Sequence, residues 1–316
     1  MSARLRVLIV DPLHPDAIEQ LRGEFEVTVQ LGPSEDELRR LIADADVLVM
    51  RSGVRLSAET IAAAPGLRLV ARAGTGLDNI DLGAAERAGV RVFNVPSQAA
   101  SSVAEHAIAL ALAVTRRIPL ANSQVRRDEW RKAELVGDEL RGGTIGIVGL
   151  GAIGSRIAQL ALGFQMRVLA NVARPSERRR RDLAHEQIEL VGLDLLLAES
   201  AVVCVATPLT ARTRGLIGAR ELALMTDGSY VVNVARGGVV DEAELYAALA
   251  SGRLAGAALD VVAAEGEKNP LGELDNVVLT PHIGAMTEQA QRRIGETVVA
   301  SIRTALAGGR VASQVC

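Results

Sequence analysis

Cysteine is nearly absent: the 316 residues hold two, Cys204 inside the apolar run AVVCVA and Cys316 at the last position. Two thiols exclude a disulfide framework, and neither has metal-site spacing, so no metal is expected and a reducing compartment is the plain reading. Aromatic residues make up 2%, so the core has to be built from Leu, Val, Ile and Ala, which favours helices packed on a buried sheet. The net charge is only −3, which gives no basic footprint for nucleic acid outside the local run Arg178 to Arg181. Long apolar runs are missing too. The longest, AIALALAV at 107–114, is far short of the ~20 residues of a membrane span. The opening MSARLRVLIVD has an unbroken run of only four apolar residues before Asp11, too few for a signal peptide. No targeting segment and no membrane partner are expected, and the chain reads as cytoplasmic.

What is there is ordinary for a soluble globular chain: 49% hydrophobic and 23% charged residues. At ~100–200 residues per domain, the length implies two domains. Short apolar runs alternate with helical patterns from the start. Strands are predicted over 6–10, 25–29, 46–50, 67–71 and 90–95, with helices between them. One helix opens with a capping box, Ser34 to Glu37; a second box, Ser102 to Glu105, is predicted to open the long Ala/Leu-rich helix after Pro96. From Thr144 the alternation resumes with TIGIVGL, MRVLA, AVVCVAT, SYVVNVA, GAALDV and NVVLT as strands, and a last helix runs from about Met286 to the end. Such alternation implies parallel sheets with helices on their faces. AVVCVAT has the unbroken apolar character of a central strand.

The glycine turn GLGAIG supplies Gly149, Gly151 and Gly154 as G-x-G-x-x-G, between a predicted strand and a predicted helix. In that setting the first glycine permits the tight turn, the second lets the backbone approach a pyrophosphate, and the third allows helix and strand to pack closely. An acid is expected ~20 residues later to hold the ribose hydroxyls. Val172 stands there instead, with Arg174 and Arg178 to Arg181 nearby. The turn is therefore expected to bind NAD or NADP, leaning to NADP, with Arg174 attracting a 2′-phosphate; the other reading makes the arginine run a solvated helix face.

Three further stretches place reactive side chains after predicted strands, where open α/β sheets bind ligands. VNVARGGVVDEAEL puts Arg236 where a guanidinium could hold a carboxylate by two parallel hydrogen bonds, or sit in a surface salt bridge. LTPHIGA puts His282 where it could be a general acid and base, or a packed structural histidine. ALDVVAAEGE offers Glu265 and Glu267 as partners for that ring. His14, His106 and His185 lack such a setting and read as structural or surface. ARAGTGLDNIDL (71–82) could present backbone N–H groups to an anion.

ARAGTGLDNIDL, VAEHAIAL, TIGIVGLGAIGSRIA, TPLTARTRGLI, VNVARGGVVDEAEL, GAALDV and NVVLTPHIGA, in this order, resemble the D-2-hydroxyacid dehydrogenase family, most closely its phosphoglycerate dehydrogenase branch. The resemblance runs from about residue 50 to the C-terminus. It implies an α/β fold of two doubly wound parallel-sheet domains. Residues 1–94, completed by a C-terminal helix over 287–316, would form a flavodoxin-like substrate-binding domain, and residues 95–286 a Rossmann dinucleotide-binding domain. Arg236, Glu265 and His282 fall on the family's catalytic residues. Cofactor contacts are implied at Thr75, Gly149, Gly151, Ala152, Ile153, Gly154, Arg174, Thr207, Val234, Asp260 and Gly284. Substrate contacts are implied at Arg51, Arg72, Ala73 and Gly74. Two departures stand out. VAAEGE has Val262 for the usual aromatic and Gly266 for a proline, so Glu267 is kept in reserve for Glu265, and the cofactor-selecting acid falls on Val172.

The activity implied is hydride transfer between a nicotinamide cofactor and a small 2-hydroxy or 2-oxo acid. Arg51 and Arg72 point to a doubly anionic acid such as D-3-phosphoglycerate; hydroxypyruvate or glyoxylate reduction is the alternative. Family members commonly form homodimers through the Rossmann domain, and the helix from Ser102 would join that contact. The C-terminal regulatory domains of some relatives are not expected after the last helix. A different class, the nicotinamide-sensing transcriptional corepressor, keeps the fold but adds long tails, which this sequence does not display.

Overall fold

The computed structural model describes residues 4–316. The chain divides into two compact units: Met1–Ala99 with Met286–Cys316, and Ala100–Ala285. Every strand pairing in both is parallel, as the alternation of apolar runs and helical patterns requires.

The first unit runs β1 (Arg6–Ile9), α1 (Pro15–Glu24), β2 (Glu26–Val29), α2 (Glu35–Ile42), β3 (Val47–Met50), α3 (Ala58–Ala62), β4 (Leu69–Arg72), α4 (Leu82–Arg87) and β5 (Arg91–Asn94). Its sheet has the order β2-β1-β3-β4-β5, the flavodoxin-like doubly wound arrangement. Successive strand residues alternate between two cores: Val7 and Ile9 pack under α1, while Leu8 and Val10 pack with Leu38 and Ile42 of α2. Both faces are covered, which is why the strands read as unbroken apolar runs. Ser34 caps α2 as predicted, its Oγ accepting from Glu37 N (3.4 Å) while Glu37 Oε2 accepts from Ser34 N (2.9 Å).

The second unit runs α5 (Ala100–Thr115), α6 (Ile118–Val125), β6 (Thr144–Val148), α7 (Ala152–Gly163), β7 (Arg167–Asn171), α8 (Glu177–His185), β8 (Ile188–Leu190), α9 (Leu193–Glu199), β9 (Val202–Val205), α10 (Ala219–Leu224), β10 (Tyr230–Asn233), α11 (Glu242–Ala250), β11 (Gly256–Leu259) and β12 (Val277–Leu279). Its sheet order is β12-β11-β10-β9-β6-β7-β8. The order reverses between β6 and β9, the switch point where doubly wound sheets take ligands. β9 is a central strand, as its composition predicted, and Cys204 within it is fully buried; burial pushes that thiol up to about 12, so it is inert. No helix among the described residues is long and apolar enough to cross a membrane.

Three expectations are corrected. α5 starts at Ala100, so Ser102 lies inside its first turn and is not an N-cap; the chain turns earlier, at Ser97 with φ 69°. β8 was not anticipated, being three residues long beside an arginine-rich helix. The last helix, α12 (Glu288–Leu306), ends ten residues before the C-terminus instead of running over 287–316. Gly308, at φ 82°, breaks it, and the tail pairs antiparallel with edge strand β5 through Phe93 and Gln314. Val315 N donates to Val92 O (2.8 Å) and Val92 N to Cys316 O (3.1 Å), so backbone groups that a bare edge would leave open are satisfied.

α12 returns to the first unit and lies on α1, where Gly295 meets Ala17; a β-carbon at 295 would stand 2.8 Å from Ala17 Cβ and 3.3 Å from His14 Cβ. Replacing a mid-helix glycine by alanine ordinarily gains ~1 kcal/mol, whereas overpacking costs ~1–3 kcal/mol. We therefore expect Gly295→Ala to lower the thermal midpoint of this unit by a few degrees. A raised midpoint in calorimetry would show that α1 and α12 separate without cost.

Candidate functional site

The glycine turn follows β6. Gly149 adopts φ 100°, and a β-carbon there would lie 2.8 Å from Ala206 O and 2.9 Å from Thr207 Cα. Only glycine fits both the conformation and the approach of the β9 loop. At Gly154 a β-carbon would meet Gly149 O at 2.0 Å, so α7 packs straight onto the turn. Gly151 differs: nothing lies within 4 Å of its notional β-carbon. Gly151 is also the N-cap of the twelve-residue α7, without a side-chain cap, so the first-turn N–H groups at Ala152, Ile153 and Gly154 have no acceptor within the helix. Open space, bare N–H donors and the positive end of a helix fit a pyrophosphate. Thr207, half-buried, and Val234, buried, follow β9 and β10 on the same side of the switch point.

The arginine run divides by helical rotation. Arg178 is exposed and pairs with Asp182 (3.7 Å). Arg180 donates to Leu190 O (2.6 Å). Arg179 turns back and donates to Leu150 O (2.6 Å), inside the glycine turn. Arg174 is exposed before α8, and Val172 is half-buried. Asn171 Nδ2 donates to Val191 O (3.0 Å), away from the turn.

At the end of β10, Asn233 is 1% exposed and pins the next loop: its Oδ1 accepts from Ala235 N (3.0 Å) and its Nδ2 donates to Arg236 O (3.1 Å). Arg236 is half-buried, with Nη1 donating to Ala235 O (2.7 Å). Gly237 brings this loop against the chain after β11, for a β-carbon there would lie 2.0 Å from Val262 O. Glu242, in the first turn of α11, holds the 263–269 loop by accepting from Ala263 N (2.6 Å) and Asn269 Nδ2 (2.7 Å). That loop presents Glu265, and Glu265 Oε1 lies 2.8 Å from His282 Nδ1. Glu265 rather than Glu267 is thus the carboxylate at the ring. Because a carboxylate only accepts, Nδ1 is the donor, and Nε2 is the nitrogen left to face a ligand. The side chains are 27% and 47% exposed, so solvent limits the pair to ~1 kcal/mol or less of stability. Its consequence is orientation.

His282 itself sits at φ 54°, in the left-handed region, a strain of ~1–3 kcal/mol that the surroundings must hold. They do so through Asp260, 3% exposed at the end of β11. Asp260 O accepts from His282 N (2.9 Å). Its carboxylate accepts from Thr280 Oγ1 (2.6 Å), Ile283 N (2.9 Å), Gly284 N (2.8 Å) and His106 Nε2 (3.2 Å). Burial pushes this carboxyl up, and the bonds from His106, Thr280, Gly284 and Ile283 outweigh it, holding the group below the ordinary aspartate range. Sequence reading set His106 aside; its partners lie 154 and 174 positions away, so no local pattern could have shown the link. Asn233 and Glu242 escaped notice for the same reason.

The first unit holds the remaining candidates. Arg72 is 6% exposed at the end of β4, its Nη1 lying where a β-carbon of Gly74 would be. Ala73 is buried, and Thr75 O accepts from Asn94 Nδ2 (2.6 Å). Arg51 is half-buried; its N donates to Asp11 Oδ2 (2.5 Å), and its Nη1 donates to Gln291 Oε1 (2.9 Å) of α12. Burial lowers the Arg51 guanidinium, and Asp11 offsets this in part.

A family described as D-isomer specific 2-hydroxyacid dehydrogenase, NAD binding domain, matches residues 108–284. A D-3-phosphoglycerate dehydrogenase of Archaeoglobus fulgidus is 43% identical over 94% of this chain and 56% of its own. The chain spans a little over half the length of this and the similarly named relatives. A hydroxypyruvate reductase of Thermotoga maritima is 42% identical over 95% of this chain and 98% of its own. Among solved structures, the TT0316 protein of Thermus thermophilus superimposes with a TM-score of 0.91, at 34% identity, over 99% of this chain and 100% of that one.

The contrast between two glycines is testable. Gly151→Val should fold, losing only a few degrees of melting temperature as a poorer N-cap whose side chain enters open space, yet should weaken dinucleotide binding at least ~10-fold, measured by calorimetry. Gly154→Val should fail to fold. A Gly151→Val protein with wild-type affinity would place the dinucleotide elsewhere.

Proposed function

The chain belongs to the D-isomer specific 2-hydroxyacid dehydrogenase family, and we propose that it catalyses hydride transfer between a nicotinamide cofactor and a small 2-hydroxy or 2-oxo acid. The observation that carries the reading is the His282–Glu265 pair, 2.8 Å apart at the carboxyl end of a doubly wound sheet whose switch point holds the glycine turn. The bound cofactor would supply the hydride donor or acceptor. Gly149, Gly151, Ala152, Ile153 and Gly154 would hold its pyrophosphate, with Thr207, Val234, Asp260, Gly284 and Thr75 beside the rest. Arg236 would grip the carboxylate and 2-oxo oxygen of the acid. His282 Nε2 would give a proton to the carbonyl oxygen in reduction and take it back from the hydroxyl in oxidation. Glu265 would orient the ring by accepting from its Nδ1.

D-3-phosphoglycerate is the substrate we favour, with Met1–Ala99 and Met286–Cys316 as the substrate domain and Ala100–Ala285 as the dinucleotide domain. Arg51, Arg72, Ala73 and Gly74 would receive its two anionic groups; the names of the 43%-identical relative and its like support this. Hydroxypyruvate or glyoxylate reduction is the second reading, favoured by the relative matched over 98% of its length. We further propose a cytoplasmic homodimer joined through the second unit. Ile118, Val125, Trp130 and Val136 support it: they are large apolar side chains, 50–81% exposed, in one stretch of chain.

For the cofactor we propose use of both NAD and NADP, leaning to NADP. Val172 neither accepts from a ribose diol nor repels a 2′-phosphate, and hydrogen bonds to a charged group are worth ~1.5–3 kcal/mol, or ten- to a hundredfold in affinity. Arg174 lies near, and Arg179 already reaches the turn.

With reduced cofactor and a panel of 2-oxo acids, the wild-type protein should bleach the nicotinamide absorbance, and His282→Ala should lower kcat by ~10²–10⁴-fold while cofactor affinity is kept. Near-normal turnover in the folded variant would eliminate the role of His282; no turnover of any acid by wild type would remove the whole reading. Compared at low salt, kcat/KM with NADPH should equal or exceed that with NADH, and Val172→Asp should shift the ratio toward NADH by about tenfold or more. A wild-type preference for NADH above about tenfold refutes the lean.

A further inference from the structure

Asp260 is more than a liner of the ligand crevice. The loop carrying His282 hangs on it from both sides: His282 N bonds to its carbonyl (2.9 Å), and Ile283 N and Gly284 N bond to its carboxylate (2.9 and 2.8 Å). Gly284 is required for this closeness, because a β-carbon there would stand 2.9 Å from Asp260 Oδ2 and 3.6 Å from His106 Cδ2. The rotamer of Asp260 therefore decides where His282 stands. Two side chains set that rotamer. Thr280 gives its single hydroxyl proton to Oδ1 at 2.6 Å. His106, on α5, places Nε2 3.2 Å from Oδ1 and 3.1 Å from Thr280 Oγ1. Since the Thr280 proton is already committed to Asp260, Thr280 Oγ1 can only accept from the ring. Nε2 thus carries a proton and forks it between the two oxygens. His106 ties the carboxylate to a helix instead of to the loop it supports.

We propose that His106 is a positioning residue for proton transfer: by holding Asp260 from α5, it keeps the left-handed His282 backbone, and with it the His282–Glu265 pair, in register. The proposal rests on the acid/base reading of His282. It assigns His106 no contact with substrate or cofactor, since the residue acts through Asp260.

The test compares three substitutions. Glutamine can bring an amide N–H to the place of Nε2; asparagine ends one bond short; leucine has no donor. His106→Leu should lower kcat by about tenfold or more, because sub-ångström misplacement of a reacting group is costly. KM for the acid and Kd for the reduced cofactor should stay within about threefold. His106→Asn should behave like leucine, and His106→Gln should restore kcat to within about threefold of wild type. If His106→Leu fails to fold, the Asn and Gln pair decides. In the cofactor-free protein, ¹⁵N-histidine spectra should show the His282 ring signals, assigned by their loss in His282→Ala, shifted or broadened in the Leu and Asn variants and unchanged in Gln. Unaltered His282 signals together with wild-type kcat in His106→Leu would overturn the proposal. So would a loss confined to KM or Kd. Should His282→Ala itself keep full turnover, the acid/base reading fails instead, and the spectra still decide whether His106 positions that ring.

Discussion

A polar group buried at the end of a strand has to be satisfied by the protein itself, and three loops that carry candidate functional side chains are shaped by that requirement. Asp11, 6% exposed after β1, accepts from the backbone of Arg51. Asn233, 1% exposed at the end of β10, bonds the backbone on both sides of the turn that presents Arg236. Asp260, 3% exposed after β11, holds the backbone of the His282 loop. In all three the short side chain is rigid and the long one is presented. Within each parallel sheet this is economical, because the strands of one sheet end on one side and leave their loops there together.

The same logic explains where the chain accepts strain. His282 at φ 54° is a poor conformation for a branched ring side chain in isolation. Asp260 holds it there, by accepting from the N–H groups of His282, Ile283 and Gly284. Crowding at Gly237 and Gly284 belongs to the same bargain: both permit backbone to lie against backbone or carboxylate at distances no β-carbon allows. Glu242 extends it to the loop of Glu265. Gly266, at φ 86°, shows that this stretch turns on a glycine at the place where the resemblance led one to look for proline, and Glu265 still reaches the ring.

Much of the architecture was legible because it is written in local patterns. Apolar runs of four or five residues marked the long strands, and the strand–glycine–helix sequence around Gly149 marked the switch point. What escaped was non-local. β8 is too short to make a pattern, and the last helix looked longer than it is because the tail after Gly308 is held by β5, far back in the sequence. The Ser102 box had the right letters but stands inside α5, since the turn at Ser97 sets the start. Spacing could not choose between Glu265 and Glu267, for both follow the same strand; only the fold of the loop brings one to His282. His106 offered no sign at all, because its meaning depends on two residues from the opposite end of the unit.

The arginine run shows how little a charged stretch says until rotation is known. Consecutive helical residues are ~100° apart, so four arginines in α8 cannot share a target. Arg178 meets Asp182 and solvent, Arg180 meets the carbonyl of Leu190, and Arg179 reaches the glycine turn. Its bond to Leu150 O occupies one N–H of a guanidinium that has five. The remaining donors keep their charge beside a turn from which the usual acid is missing. The turn's own carbonyl, at Leu150, anchors that guanidinium, while Val172, after β7, offers no carboxylate.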